Sequence, residues 1–443
     1  MKADWNRGVW LPDDDAGRAL SGEAAERGGE RGASDLQSPE TGPKQRPIRL
    51  TIASDWAPLK VYADLIQSDP TAVYGDVLPL LRASDLNLVN VECTLGNHGE
   101  PIPKAGPNFR AEESSVRSLT EVPFHVACLA NNHSMDYGPE SLNHTMDLLQ
   151  KAGLEIVGAG MSGEEAARPL VVDVGSVRVA VINCAEGEAC RSVDNGPGAN
   201  GFEPAAAARQ IRELKRTADF VLVVFHGGRE YAPLPPEYVI AGLRGMAEAG
   251  ASAVIAHHPH VPQGIEVYRG VPIVYSQGNF VFWQDSPTFF RHAGYLVHLD
   301  VLKDRIAKME ITPYTIEPEG LSMMKGALKT RFLQTLAHVS ELIADPAKVR
   351  DVWNAFVDGV GLSGLIRTLQ SPMKQLETDL PVGAARLLNL FFTPAHSELF
   401  ITGLRRAVNG RLGDSPEWAK RLVDHWMNCG LEEGKERCGE YAP

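Results

Sequence analysis

Three histidines within four residues stand out as the residues best able to do chemistry. His257, His258 and His260 follow the apolar run at positions 253–256, which predicts a short buried strand. A strand that ends in imidazoles presents ring nitrogens at the carboxyl edge of a sheet, where open α/β folds bind ligands. Neutral imidazole is the commonest nitrogen ligand of transition metals. The stretch therefore predicts a metal site with His258 and His260 as ligands, and His257 as either a ligand or a group behind them.

The other strongly predicted strands end on the same kinds of side chain. The residues at these ends are Asp55, Glu92, Asn132 with His133, and His226. This mixture of oxygen and nitrogen ligands suits one or two ions of Mn²⁺, Zn²⁺ or Fe²⁺, and Ca²⁺ could be held through oxygen ligands and waters. Two carboxylates offset only part of the charge of two divalent ions. The site is therefore predicted to attract an anionic small molecule or a peptide that carries a phosphate or carboxylate group.

Strands alternate with amphipathic helices along the middle of the chain. Strands are predicted at 48–53, 86–92, 124–130, 220–225 and 253–256, and helices at 139–152 and 205–217. Strands that are apolar throughout are typical of sheets covered on both faces. The segments 170–183 and 295–315 are predicted hairpins, because each has a turn sequence in its middle. The fold class is therefore α/β, with a mixed or doubled sheet.

Composition divides the chain into three parts. Residues 1–47 are rich in Gly, Glu, Arg, Asp and Ser and are predicted to be a disordered leader. Residues 48–318 carry the α/β alternation and all the strand-end ligands. Helical periodicity replaces strands from about Met324 onward. We therefore predict that residues 319–443 form a helical C-terminal region packed on the first domain.

Charge and apolar content argue against several classes of partner. The net charge is −13 over 443 residues, and without a basic stripe it argues against nucleic-acid binding. No apolar run is long enough to span a bilayer, and no segment near Met1 resembles a secretion signal. The six cysteines have no CxxC spacing, which favours reduced thiols. A soluble cytoplasmic protein with no membrane partner is expected.

Five ordered motifs resemble those of a known family. They are Asn90-Val91-Glu92, Leu129 to His133 followed by Asp136-Tyr137-Gly138, His226 to Tyr231, His257 to Val261, and Tyr275 to Phe280. Together they closely resemble the CapA family of capsule polyglutamate synthesis proteins, which is similar to the calcineurin-like metallophosphoesterases. The resemblance covers about residues 48–318 and implies a four-layer αββα sandwich. It says little about the C-terminal helices.

The resemblance also implies roles for individual residues. The implied metal ligands are Asp55, Glu92, Asn132, His226, His258 and His260. His133 would protonate a leaving group, and Asp55 is the carboxylate expected at the catalytic centre. Asn108, Arg110 and Asn279 would border the substrate, with Arg110 pairing with an anionic group. His396 lies outside the recognisable domain, and it is either a packing histidine or a further catalytic base folded over the pocket.

One position departs from the family pattern. The family opens this motif with Gly-Asp and the wider superfamily carries Asp-x-His, whereas this chain has Ser54-Asp55-Trp56-Ala57. Ala57 stands where that histidine would be. One metal position is therefore expected to be weaker, or only one ion to bind.

The sequence leaves three functions open. The first is metal-dependent hydrolysis of a phosphate ester, with His133 protonating the leaving oxygen. The second is inversion of a Cα centre in a ribosomal precursor peptide by two side-chain bases. Some soluble members of this fold resemble lasso-peptide epimerases, and the altered Ser54-Asp55-Trp56 opening and the extra helical region fit that hypothesis. The third is an accessory role in poly-γ-glutamate synthesis. Each of the two enzymatic functions would use a divalent metal.

Overall fold

The computed structural model describes residues 1–12, 46–187 and 190–439. Its strands in chain order are β1 (Lys2–Asp4), β2 (Val9–Leu11), β3 (Ile48–Trp56), β4 (Leu86–Val91), β5 (Thr94–Leu95), β6 (Arg110–Ala111), β7 (Val126–Cys128), β8 (Glu155–Val157), β9 (Ala159–Gly160), β10 (Leu170–Val174), β11 (Val177–Ala185), β12 (Gly198–Ala199), β13 (Phe220–His226), β14 (Ala253–His257), β15 (Ile265–Tyr268), β16 (Val271–Val274), β17 (Ala293–Val301), β18 (Ile306–Glu317) and β19 (Gly320–Met323).

Helices alternate with strands in the α/β part of the chain, and the C-terminal part from Gly326 contains only helices among the described residues. They are α1 (Val61–Ser68), α2 (Leu78–Arg82), α3 (Val116–Thr120), α4 (Gly138–Lys151), α5 (Gly163–Ala166), α6 (Pro204–Leu214), α7 (Glu237–Ala249), α8 (Gly326–Ile343), α9 (Pro346–Thr378), α10 (Leu380–Phe392), α11 (Pro394–Val408), α12 (Glu417–Asn428) and α13 (Leu431–Arg437). Short 3₁₀ turns lie at Ala72–Val77, Glu113–Ser115 and Phe289–His292.

The first large sheet has the strand order β1-β2-β18-β17-β3-β4-β7-β8, with β19 paired to β18. Strands β3, β4, β7 and β8 are parallel to one another. The remaining pairs, β3–β17, β17–β18, β18–β19, β18–β2 and β2–β1, are antiparallel. The hairpin predicted at 295–315 is the β17–β18 pair, so this prediction is confirmed.

The second large sheet has the order β10-β11-β13-β14-β16-β15. Its inner strands β11, β13, β14 and β16 are parallel, and the two edge strands are antiparallel. Every residue of β13 is buried, as expected for a strand with both faces covered. The hairpin predicted at 170–183 is β10–β11. The prediction of a mixed, doubled sheet is confirmed.

The two sheets pack face to face, with helices on their outer sides. Leu88 of the first sheet shares a core with Val223 of the second. The other face of the first sheet, at Val89, packs against Leu142 of α4. Helix α7 covers the second sheet through Leu243. The result is the predicted four-layer αββα sandwich.

The C-terminal helices extend this core. The backbone N–H of Ile265 in β15 donates to Ser340 Oγ of α8 at 2.8 Å, and the Trp426 ring of α12 stacks on Phe290 at 4.0 Å between centroids. Strand β19 ends at Met323 and α8 begins at Gly326, so the boundary lies a few residues beyond the predicted 318–319. No helix in the described ranges is both long and apolar enough to cross a bilayer.

Residues 1–12 are ordered, which corrects the prediction of a disordered leader at 1–47. Strands β1 and β2 form a hairpin, and β2 extends the first sheet by placing Val9 opposite Glu310 and Trp10 opposite Met309. Trp10 is only 2% exposed. Local composition concealed this strand, because its partner β18 lies at the far end of the α/β part of the chain. Residues 13–45 lie outside the described residues.

Candidate metal centre

The carboxyl ends of parallel strands from both sheets meet at one buried place. Asp55 lies near the end of β3, Glu92 directly follows β4, and His226 and His257 are the last residues of β13 and β14. The strand registers set His226 beside His257 and Asp55 beside Asn90. All five side chains are buried. Strand topology therefore delivers carboxylates, an amide and imidazoles to a shared point, as the strand ends predicted.

His226 lies in the middle of the cluster. Its Nε2 is 2.7 Å from Asn132 Oδ1, 3.0 Å from His258 Nδ1 and 3.4 Å from Glu92 Oε1. These four residues lie at the ends of four different strands, β4, β7, β13 and β14. An amide oxygen, a carboxylate and two imidazoles at this separation match the ligand types of a borderline divalent ion.

A second group of ligand atoms surrounds Asp55. Its Oδ1 is 3.3 Å from His257 Nδ1 and 3.8 Å from His226 Nδ1, and its Oδ2 is 3.6 Å from His260 Nδ1. His260 Nε2 lies 3.9 Å from Glu92 Oε1. His257, whose role the sequence left open, therefore offers an imidazole beside Asp55, where Ala57 supplies none. The two groups share His226 and Glu92, so they form one continuous set of possible ligand atoms.

The carboxylates show that this cluster fits a cation. Within the described residues, both oxygens of Glu92 and Oδ2 of Asp55 are buried without a hydrogen-bond partner. A buried carboxylate without an opposite charge costs several kcal/mol, of order 3–5. Burial, followed by repulsion from Asp55, raises the pKa of Glu92 well above its usual value. A divalent ion would remove this penalty, so the residues present fit the metal that the resemblance implies.

The histidines are in the protonation state that metals require. Burial lowers the pKa of His226 and His257 below the usual value, and it lowers that of His258 to about 3. Neighbouring imidazoles reinforce the effect at His226. At neutral pH these rings are neutral and keep a lone pair for a metal.

The backbone at His258 and His260 is strained. His258 has φ 103° and His260 has φ 57°, a region that costs a non-glycine residue about 1–3 kcal/mol. Two contacts hold the segment in place. Tyr231 N–H donates to the Pro259 carbonyl at 2.8 Å, and His260 Nδ1 lies 2.8 Å from Asn279 Oδ1. Strain held by the surrounding structure is typical of a preorganised site.

A buried histidine–aspartate pair lies beside the centre. His133 Nδ1 donates to Asp136 Oδ2 at 2.6 Å, and Lys104 Nζ donates to Asp136 Oδ1 at 2.5 Å. The His133 ring also stacks on Phe109, with centroids 4.0 Å apart. Burial, then the charge of Lys104, lowers the pKa of His133 to about 4. Asp136 therefore fixes the ring and its tautomer, and leaves Nε2 as the nitrogen that can exchange a proton.

A cavity of about 220 Å³ opens onto the centre. Its polar lining residues include Lys104, Asn132, Glu186, Arg229, Glu230, His258, Asn389, Thr393 and His396. The last three come from α10 and α11 or the turn between them, so the helical region forms one wall of the cavity. The cavity carries two cationic side chains and two carboxylates, which suits a polar, charged substrate.

His396 reaches this cavity from outside the α/β domain. Its Nδ1 accepts a hydrogen bond from Arg229 Nη1 at 2.8 Å. Burial, then the charge of Arg229, lowers the pKa of His396 to about 4, so the ring is neutral at pH 7. Of the two interpretations made from the sequence, the structure favours a histidine folded over the pocket. Its part in catalysis stays a prediction.

The structure does not bring Arg110 and Asn108 to the cavity, which corrects their predicted contacts with substrate. Arg110 donates to Asn97 Oδ1 at 2.7 Å and to the carbonyls of His98 and Gly99 at 2.5 and 2.9 Å. Asn108 Nδ2 donates to the Asp136 carbonyl at 2.6 Å. Both side chains therefore hold loops in place.

Asn279 also acts from behind the site. It is fully buried, its Oδ1 contacts His260, and its Nδ2 donates to the Arg291 carbonyl at 3.3 Å. The structure therefore places Asn279 behind His260 and outside the lining of the cavity, and not at the border of the pocket where it was predicted.

Sequence reasoning missed several residues of the site. Asn90 Nδ2 donates to Asp55 Oδ1 at 2.8 Å, and Asn131 Nδ2 donates to Asn90 Oδ1 at 3.1 Å. Arg229, and not Arg110, brings a guanidinium to the cavity. Asn90, Asn131 and Arg229 belong to the motifs that carry the resemblance, which could have identified them. Lys104 lies in an irregular loop without any such pattern.

Fold and site define a four-layer α/β protein with a carboxylate–histidine candidate metal centre at the strand ends. Residues 37–284, more than half of the chain, match the family model described as bacterial capsule synthesis protein PGA_cap. The chain is 34% identical over 271 residues to the PGA biosynthesis protein CapA of Bacillus subtilis (strain 168), covering 60% of this chain and 70% of that protein. It therefore belongs to the PGA_cap family.

A second Bacillus relative agrees with this assignment. The capsule biosynthesis protein CapA of Bacillus anthracis is 34% identical over 265 residues, which cover 58% of this chain and 64% of that protein. Among solved structures, the calcineurin-like phosphoesterase YfkN from Bacillus subtilis aligns with 14% identity and a TM-score of 0.34, over 68% of this chain and 100% of that chain. A 5'-nucleotidase from Candida albicans SC5314 aligns with 9% identity and a TM-score of 0.35, over 69% and 60%. Scores this low carry no argument about function.

Proposed function

We propose that this protein is an enzyme that uses a divalent metal to hydrolyse phosphate esters. The observation that carries the proposal is the pair of buried carboxylates, Asp55 and Glu92, which lack an opposite charge and lie among neutral imidazoles beside an open cavity. The proposed ligands are Asp55, Glu92, Asn132, His226, His257, His258 and His260. One or two ions of Mn²⁺, Zn²⁺, Fe²⁺ or Ca²⁺ held there would supply Lewis acidity and orient an anionic group.

The chain's own residues supply binding and proton transfer. Arg229 lines the cavity, and its Nε is buried without a hydrogen-bond partner among the described residues. It is our candidate for binding a phosphate oxygen. Asp136 orients His133 through Nδ1, so that Nε2 can exchange a proton with the leaving oxygen.

Hydrolysis of p-nitrophenyl phosphate in the presence of each candidate metal tests this proposal. We expect phenolate release by the native chain and a loss of at least about 100-fold after His258→Ala with His260→Ala, because two ligand rings are removed. His338→Ala, a histidine on α8, is the matched control. The proposal fails if no metal supports release, or if the double variant keeps full activity.

Inversion of a Cα centre is a second candidate. The observation that favours it is that His396 adds an imidazole to a cavity that already has His133 beside it, and an epimerase needs two groups that exchange protons. Incubation of candidate peptides in D₂O separates the two reactions. Inversion incorporates one deuterium at the inverted centre, whereas phosphate ester hydrolysis incorporates none there.

A role in poly-γ-glutamate synthesis is the third candidate. It is supported by the two Bacillus relatives, which are named for PGA and capsule biosynthesis. Supplying this chain to Bacillus subtilis that lacks its CapA, and measuring polymer, tests this role. Restored polymer supports it, and restoration by the His258→Ala, His260→Ala variant would show that the role needs no metal centre.

A further inference from the structure

A second cluster of possible metal ligands lies away from the cavity. It consists of His98 in the loop after β5, Glu113 in the 3₁₀ turn after β6, and His144 on α4, and it shares no residue with the candidate metal centre. One ligand atom from each residue lies within 4.8 Å of the other two. The side chains are 40%, 52% and 25% exposed, so an ion can reach them from solvent.

The three side chains of this cluster approach one another closely. His144 Nε2 is buried and lies within ion-pair distance of Glu113 Oε1, at 2.8 Å. His98 Nε2 is 3.8 Å from the same carboxylate oxygen. The two imidazole rings lie 3.8 Å apart at their centroids with an interplanar angle of 29°. The carboxylate oxygen and the two nitrogens therefore converge on a shared point.

Backbone contacts hold the three ligand-bearing segments together. Arg110 Nη2 donates to the His98 carbonyl at 2.5 Å. Leu95 N–H donates to Thr145 Oγ1, beside His144, at 2.9 Å, and Gly96 N–H donates to the Ala111 carbonyl at 2.9 Å. The segments are thus tied to one another by groups other than the ligands themselves. A site that is fixed in advance loses less entropy when it binds an ion.

Gly96 has no side chain, and this allows the ligand atoms of Glu113 and His144 to lie close to its backbone. A Cβ at this position would lie 2.8 Å from both Glu113 Oε1 and His144 Nε2. The backbone there has φ +80°, which favours glycine. Both properties fit a close approach of the loop backbone to the cluster.

We propose that His98, Glu113 and His144 form a second transition-metal site on the surface. Two imidazoles and one carboxylate suit Zn²⁺ or a similar borderline ion, with water completing the shell. A bound ion would fix the loop after β5 to α4. The same stretch of chain continues through Lys104 and Asn108, which contact Asp136, so the ion would stabilise the support of the candidate metal centre without belonging to it.

Metal counting on the full chain tests this site. We expect His98→Ala with His144→Ala to bind one equivalent of Zn²⁺ fewer than the native chain, in equilibrium dialysis followed by elemental analysis. The His258→Ala, His260→Ala variant should keep that equivalent, and His338→Ala should bind as the native chain does. In Co²⁺-loaded protein, the visible d–d absorption of the ion at this second site should disappear in the His98, His144 variant and persist in the His258, His260 variant.

The conservative substitution Glu113→Gln guards against a folding defect in the double variant. It keeps the shape of an exposed side chain, and we expect it to weaken Zn²⁺ at this site at least tenfold with an unchanged melting temperature in EDTA. Equal Zn²⁺ stoichiometry and equal Co²⁺ spectra in the native chain and the His98, His144 variant would overturn the proposal. Because no turnover is measured, this result is independent of the proposed hydrolysis.

Discussion

His396 and Arg229 are joined by a hydrogen bond of 2.8 Å that connects the C-terminal helices to the wall of the candidate metal centre. His396 lies in the first turn of α11, and Arg229 lies three residues after His226, the last residue of β13. The helical region therefore does more than cover the α/β sandwich. It sets the position of a guanidinium that faces the cavity.

The first prediction concerns this contact. His396→Ala removes the acceptor that orients Arg229, and a hydrogen bond to a charged group contributes about 1.5–3 kcal/mol. We expect the KM for p-nitrophenyl phosphate to rise about tenfold or more, with a smaller change in kcat. His396→Asn restores an acceptor and should recover part of the loss, and Ser397→Ala is the neighbouring control. Equal KM values in the Ala and Asn variants would contradict the orienting role.

The second prediction concerns the effect of the Glu92 carboxylate on stability without metal and with metal. Without metal, Glu92→Gln removes a buried negative charge beside Asp55. The free energy of unfolding in EDTA should therefore rise by about 1–3 kcal/mol, and the melting temperature should rise with it. With Mn²⁺ the native chain should gain stability and the variant should gain little. Glu100→Gln, on an exposed loop, is the control. A variant that is less stable in EDTA and still stabilised by Mn²⁺ would show that Glu92 is not a ligand.

The third prediction concerns the support of His133. Asp136→Asn removes the charge that holds the His133 ring and the Lys104 ammonium, so we expect kcat to fall about 10²–10⁴-fold, the usual range for acid–base catalysis. Stability should also fall, because the buried Lys104 ammonium loses its ion pair with the Asp136 carboxylate. Asp147→Asn, on the solvent side of α4, should leave both unchanged. Unchanged kcat in a folded Asp136→Asn variant would remove His133 from proton transfer.

The fourth prediction concerns acid stability far from the site. His298 contacts Thr51 Oγ1 at 2.8 Å and Thr312 Oγ1 at 3.1 Å. Burial, then the charge of Arg49, lowers its pKa to about 3, below the unfolded value of about 6.5. Between these pH values the unfolded chain binds the extra proton. The free energy of unfolding should therefore fall with decreasing pH below 6.5, by up to about 1.4 kcal/mol per pH unit from this group.

Urea unfolding in EDTA at pH 7, 6 and 5 measures this slope. His298→Gln has no ring to titrate, so its stability should fall less steeply than that of the native chain, although its stability at pH 7 is lower. His338→Ala is the comparison variant, because burial also lowers the pKa of this partly exposed ring, and it should flatten the profile less than His298→Gln. Parallel pH profiles for the native chain and His298→Gln would contradict the assignment.

The strand ends were the predictable part of the site. β13 and β14 are continuous apolar runs, and such runs need both faces covered, so their ends must lie at a sheet edge. His226, His258 and His260 could be placed from that argument alone. Asp55, Glu92 and Asn132 follow other predicted strands, and the resemblance added the role implied for each of them.

Two features could not be predicted from local pattern. Arg110 and Arg229 are chemically equivalent, and only the three-dimensional structure shows that Arg110 is held by loop carbonyls while Arg229 faces the cavity. Trp10 lies in the segment that composition predicts to be a disordered leader. Its burial depends on pairing with Met309, which is a contact between distant parts of the chain.

That pairing has a practical side. In the described structure, β2 covers backbone groups of β18 at Met309 and Glu310, and an uncovered strand edge is a template for pairing between molecules. Shortened versions that start near Ile48 would retain every ligand named above and still expose that edge together with the apolar surface under Trp10. Such shortened versions should aggregate during expression. A fusion partner attached before Lys2 would have to allow the β1–β2 hairpin to form.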